Sequence, residues 1–129
     1  MNKKMLILGA VYGLLAVIIG AFAAHGLKPK ISAEAIQSFE TGVRYQMYHA
    51  LLLLFVGNLE IISAKSKKII FYLVLIGVIF FSGSIFLLAT NTLTAFNFKV
   101  IGFITPIGGL LLIISWVVML INFLKIGKN

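Results

Sequence analysis

Apolar residues in this chain come in four long stretches, and the charged residues gather mostly in the shorter segments between them. The first, Met5 to Ala24, is twenty residues without a charge; the others run from about Tyr45 to Ser63, Ile69 to Thr90 and Val100 to Leu124. A helix needs about 20 apolar residues to cross a bilayer, and inside lipid a helix satisfies its own backbone donors and acceptors, whereas an open strand edge leaves them unpaired. The pattern predicts an all-α membrane protein with four crossings. Because the links 64–68 and 91–99 are short, successive crossings are expected to be antiparallel neighbours in an up-and-down four-helix bundle.

Gly26 to Arg44 is the stretch with mixed charges. Lys28-Pro29-Lys30 breaks the chain, and Ser32 is placed to cap a helix with Glu34 in its first turn. Ile36, Phe39, Val43 and Met47 then recur at helical spacing, with Gln37, Glu40 and Arg44 on the other side, which predicts an amphipathic interfacial helix over 32–44 between the first and second crossings. Glu40 precedes Arg44 by four residues, the favourable order for an ion pair worth about 0.3 to 0.5 kcal/mol when exposed.

Composition agrees with a membrane unit: 129 residues are 61% hydrophobic and 11% charged, with a mean hydropathy of +1.13, against about 25% charged in soluble domains. Four crossings leave no room for a separate soluble domain, so residues 1–129 read as one membrane domain. Lys3, Lys4 and Ala21-Phe22-Ala23 imitate a signal peptide, but the apolar run exceeds the about 7 to 15 residues of a signal core, and an uncleaved helix is expected. The net charge of +8 comes from 11 Lys and Arg scattered at the ends of the apolar runs, without the single basic face that nucleic acid requires. The N-terminus, second loop and tail carry two, three and two of these cations, and the first and third loops three and one. The positive-inside rule thus predicts a cell-membrane protein with both termini in the cytoplasm.

Gly9, Gly13, Ala16, Gly20 and Ala23 are spaced by 4, 3, 4 and 3 residues, a stripe along one side of the first crossing that lets another helix approach closely. Gly77, Ser84 and Asn91 in the third crossing and Gly108, Ser115 and Asn122 in the fourth repeat at seven-residue spacing, and these stripes are expected to face each other. Pro106 lacks a backbone donor, so it either kinks the fourth crossing or starts a helix that Thr105 caps.

Candidate chemistry is sparse. No cysteine excludes disulfides, thiolate nucleophiles and Cys-based metal sites. Three carboxylates leave little for acid–base work, and no phosphate loop, zinc-protease motif or nucleophile elbow is present; the chain is not expected to be an enzyme. His25, Glu34, Glu40, Arg44 and His49 can gather near one membrane face, an inventory from which a two-histidine, one-carboxylate metal site is conceivable. The plainer reading has His25 resting at the lipid interface on the side of Leu14, Ile18 and Ala21, and His49 sharing a headgroup-level face with Tyr45, Leu52 and Val56. Neither a metal nor a cofactor is therefore expected. Glu60 is placed to snorkel toward Lys65, Lys67 and Lys68.

The blocks Gly20-Ala21-Phe22-Ala23-Ala24-His25-Gly26-Leu27, Phe39-Glu40-Thr41-Gly42-Val43-Arg44-Tyr45-Gln46-Met47-Tyr48-His49, Phe81-Ser82-Gly83-Ser84 and Ile104-Thr105-Pro106-Ile107-Gly108-Gly109-Leu110, with Trp116, resemble in matching order the family called domain of unknown function 423. That family of small bacterial membrane proteins looks related to the eukaryotic transmembrane protein 256. The resemblance implies a multispanning membrane protein and no activity. It marks His25, Glu40, Arg44, Tyr45, Tyr48 and His49 as candidate polar-site residues. The family pattern has Gly at Ala23 and often at Ser115, changes that loosen helix approach slightly. Glycine-lined helices and short loops lead to the expectation of a module that works by self-association or with a membrane partner, which Gly13→Leu or Gly20→Leu would disrupt. The alternative is a transporter or channel component for a small solute, proton or lipid, with His25, Glu40, Arg44 and His49 as an outer polar site beside Pro106.

Overall fold

A computed structural model describes residues 1–95 and 97–127; Lys128 of the basic tail lies outside the described residues. Among these the chain is all-helical. Helix α1 (Asn2–Phe22) continues through a π-helical turn, Ala23–Leu27, to make a 26-residue rod of about 39 Å at 1.5 Å per residue. It stops at Lys28-Pro29-Lys30, where the amides of Lys30 and Ile31 both close onto the Leu27 carbonyl and Pro29 cannot extend the ladder.

Ser32 then caps α2 (Ala33–Gly57), its Oγ accepting from the Ala35 amide at 3.0 Å. Here the expected boundary is absent: the interfacial helix and second crossing are one continuous 25-residue helix, and it ends at Gly57 instead of Ser63. No proline interrupts 33–57, and the potential weak point, Gly42, is buried against Phe86 and Ile85. Asn58 terminates α2 with its Nδ2 on the Leu54 carbonyl. Ser63 opens α3 (Ala64–Val78) by accepting from the Ser66 amide at 3.1 Å.

A second π-helical turn, Ile79–Gly83, joins α3 to α4 (Ser84–Ala89). Two short 3₁₀ turns, Asn91–Leu93 and Phe98–Ile101, follow, and α5 spans Ile104–Leu124. Pro106 is the third residue of α5, in the first turn, where an amide has no intrahelical acceptor. Of the two readings of Pro106 the helix start is the one observed, but the helix begins two residues earlier, at Ile104, with Phe103 and not Thr105 at the cap position; the Thr105 hydroxyl pairs with Ser84.

Three rods are long and apolar enough to cross a membrane: Asn2–Leu27, Ala64–Ala89 and Phe98–Leu124. α2 is the fourth long helix and the more polar one. It lies along α1 and against α3, the second π turn and α4, while α3 lies along α5. The α1 stripe is consumed inside the chain. A Cβ on Gly9 would meet the Ala50 carbonyl and Leu54, one on Gly20 would meet Val43, and Ala23 packs with Leu27, Ile36 and Phe39. Gly77 and Gly108 do face each other: a Cβ on Gly77 would meet Leu112 and the Gly108 carbonyl, and one on Gly108 would fall 2.3 Å from the Phe81 amide nitrogen. The polar members of those stripes divide differently than expected. Ser84 reaches Thr105, and Asn122 donates to Ser66 Oγ at 2.8 Å, both across helices. Ser115 instead donates to its own helix at Leu112, and Asn91 accepts from Phe98 in the loop.

Candidate functional site

Polar side chains that face inward on α2 organise the middle of the bundle. Gln46 is buried and donates Nε2 to the Tyr12 carbonyl at 2.9 Å, and Tyr12 donates its hydroxyl to the Leu75 carbonyl at 2.7 Å. These two bonds tie α1 to α2 and to α3. His49, only 3% exposed, lies between Tyr45 and Trp116. Trp116 Nε1–H donates to His49 Nε2 at 3.1 Å, and His49 Nδ1 lies 2.7 Å from the Tyr45 carbonyl. An indole nitrogen only donates and a carbonyl only accepts, so the proton sits on Nδ1 and the imidazole is neutral. His49 therefore bridges α2 to α5 with both nitrogens engaged. Its face, with Leu52 and Val56, points into the core, not toward the headgroups as expected, because burial there is compensated by two partners.

The two histidines do not come together. Ala50 packs beside Gly9 and Gly13 while Ala23 packs beside Phe39, so His49 lies near the level of Gly13. His25, exposed on the first π turn, is twelve residues along from Gly13, about 18 Å at helical rise. Among the described residues no three His, Cys, Asp or Glu side chains gather as a metal site would need. Glu40 and Arg44 are exposed, and the expected pair between them is not formed: Arg44 donates to Thr41 Oγ1 at 2.9 Å. Glu60 is likewise exposed, and Lys67 is turned inward to Asn2 Oδ1 at 2.9 Å.

What α2 does present outward is a polar stripe. Gln37, Glu40, Arg44 and Tyr48 are exposed, with Thr41 half-buried among them, at spacings that share one helix face. Gly20 contacts Val43, so Arg44 lies about one turn inside the apolar run of α1. Tyr48 lies deeper, near Gly13, which approaches Met47. Tyr45 packs on Tyr48 and Phe81, with ring centroids 5.5 and 5.1 Å away.

The second π turn is where three helices touch. The extra residue of a π turn shifts side-chain register: Ser82 points to α2 and donates to the Gly42 carbonyl at 2.7 Å, while Ser84 faces Thr105 of α5. Gly42 and Gly108 leave room for these backbones. Sequence reading missed Tyr12, Gln46, Ser82 and Lys67 as internal ties. For Lys67 a signal existed, since Lys67, Ile70, Val74 and Val78 share a helical face and all four are buried. For Ser82 none did, because a π turn has no sequence signature strong enough to foresee.

The family blocks map onto this architecture: the first and third fall on the two π turns, the second on the polar and buried faces of α2, and the fourth on the start of α5. Comparison with known proteins agrees. The family model described as "Protein of unknown function (DUF423)" matches residues 19–109. The UPF0382 membrane protein of Staphylococcus saprophyticus is 40% identical over 124 residues, covering 96% of this chain and 99% of that protein. The UPF0382 membrane protein YwdK of Bacillus subtilis is 40% identical over 125 residues, covering 95% and 98%, and a UPF0382 membrane protein of Haemophilus influenzae is 39% identical over 117 residues, covering 91% and 90%. No solved structure matches the chain. With a family model over most of its length and relatives aligned nearly end to end, this all-helical chain belongs to the DUF423 family of membrane proteins.

Proposed function

We propose that this protein crosses the cell membrane four times with both termini in the cytoplasm, and that it acts as an assembly module whose α2 flank pairs with a second copy of the chain. The observation that carries this is the exposed stripe Gln37, Glu40, Arg44 and Tyr48, set partly at the depth of α1's apolar run. A charged side chain at the centre of a bilayer costs about 2.5 to 3.5 kcal/mol on insertion scales, and less toward the interface. Covering the stripe removes part of that cost. Glu40 and Arg44, one turn apart and without an ion-pair partner among the described residues, are self-complementary: about a two-fold axis, Arg44 of each copy meets Glu40 of the other. The glycine stripe of α1 is not the surface in this proposal, because α2 already occupies it.

The chain has no cysteine, so single introduced thiols report proximity cleanly. Thr41→Cys treated with a short bismaleimide in native membranes should give covalent dimers, and Val17→Cys, on the exposed apolar face of α1, should not. Glu40→Arg and Arg44→Glu should each reduce the dimer and the double exchange should restore it. Monomer alone at Thr41→Cys would refute the second copy as occupant, and a heavier adduct would put a different membrane protein there.

A second reading, a small-solute site, is favoured by an outer cleft of about 920 Å³ lined by Ser32, Glu34, Ser38, Lys99 and Thr105. Its opposite charges suit a small zwitterion. Uptake of such a solute by proteoliposomes, lost in Glu34→Gln, would support it; no uptake would end it.

A further inference from the structure

At the opposite end of the bundle from that cleft, Lys67 is a cation with too few partners. It stands in the first turn of α3, is only 4% exposed, and donates Nζ–H to Asn2 Oδ1 at 2.9 Å. An ammonium has three donors, and lysine is almost never buried unless its charge is paired. Asn2 is neutral. Among the described residues no other acceptor takes the remaining two hydrogens. Lys67 also lines a cleft of about 510 Å³, together with Asn2, Lys3, Glu60 and Ile62. The cleft thus combines two lysines and one carboxylate with an amide that can turn its NH₂ toward an anion.

From this geometry we propose that the cleft between the start of α1, the α2–α3 turn and the first turn of α3 binds a phosphate group, held by Lys67 with Lys3 and Asn2. A phosphate supplies the acceptors that Lys67 lacks, and charge-assisted N–H···O bonds are the strong class. Its position at a membrane-facing end admits two sources of the same chemistry, the headgroup of an anionic phospholipid and free phosphate. Glu60, in the same lining, opposes binding by like-charge repulsion, so removing its charge strengthens the hold on an anion. The site is separate from the α2 flank, and either stands if the other fails.

The test is native mass spectrometry of the purified full chain titrated with short-chain phosphatidylglycerol, short-chain phosphatidylcholine and inorganic phosphate. The expected result is retention of phosphatidylglycerol over phosphatidylcholine, weakened about tenfold by Lys67→Met, the scale on which one charge-assisted bond acts. Lys65→Met makes the same change in net charge at an exposed position of the same turn and should leave binding within about twofold. Glu60→Gln, also exposed, should tighten binding, which keeps the proposal testable if Lys67→Met does not fold. Displacement of the lipid by millimolar phosphate assigns the site to free phosphate, and lack of displacement assigns it to the headgroup; both uphold the site. Equal effects of Lys67→Met and Lys65→Met, no tightening in Glu60→Gln, or binding of neither ligand would overturn it.

Discussion

Gly108→Ala should be the most damaging single methyl in this protein, and Gly13→Ala among the mildest. A Cβ on Gly108 would sit 2.3 Å from the Phe81 nitrogen and 2.7 Å from the Phe80 carbonyl carbon, both backbone atoms of the second π turn. Neither can rotate aside. Restoring ordinary contact near 3.6 Å requires α5 to retreat by about 1 Å, and a gap of 0.5 to 1 Å already forfeits a quarter to a half of each dispersion contact along the seam. Overpacking of this kind costs about 1 to 3 kcal/mol. The adjacent Ser84–Thr105 bond, at about 0.6 kcal/mol for an interhelical bond in a membrane, stretches with it. Against this stands a gain of about 0.5 to 1 kcal/mol from replacing a helical glycine by alanine, so the net loss is about 1 to 3 kcal/mol. At Gly13 the nearest atoms to the new methyl are Ala50 Cβ at 3.8 Å and Met47 Sδ at 4.0 Å, so the propensity gain stands alone and Gly13→Ala is neutral or slightly stabilising. Reversible unfolding in mixed micelles, followed by the emission of the single tryptophan, Trp116, measures both. Equal stability of the two variants would refute the account of the α3–α5 seam as backbone-to-backbone contact.

Two further predictions follow from the same geometry. Pro106→Ala should change stability by no more than about 0.5 kcal/mol, because no backbone acceptor awaits an amide in the first turn of α5; a loss of 2 kcal/mol or more by the same unfolding assay would mean that the proline shapes a bend after all. A double-mutant cycle of His49→Phe with Trp116→Phe, read by thermal unfolding in detergent with far-ultraviolet dichroism, should return a coupling of about 0.6 to 1.7 kcal/mol, and zero coupling would remove the α2–α5 bridge.

The membrane class, the three helices long and apolar enough to cross a bilayer and the cap at Ser32 were legible in the residues because each depends on local facts: length of an apolar run, or a hydroxyl three residues from an amide it can accept. The glycine stripes were legible as close-approach surfaces, but not which helix would fill them. α1 turned its stripe to α2 of the same chain, which removed it as a contact for a second copy. The change of polarity at residues 44–45 suggests a junction, but α2 runs through it, because polarity does not break a helix when no proline or free glycine intervenes.

The candidate polar site shows the same division. Residue type alone established that His25, Glu40, Arg44 and His49 were the unusual groups in an apolar chain, since burying or immersing any of them carries a cost that must be met. Tertiary structure decided how such costs are met: His49 by Trp116 and the Tyr45 carbonyl, Arg44 by Thr41 and an outward position, and Lys67, among the described residues, by Asn2. The physical reason is that apolar periodicity is written every few residues along one helix, whereas a hydrogen bond between positions 49 and 116, or a serine aimed by a π turn at residue 42, depends on the register of separate helices, which no local pattern encodes.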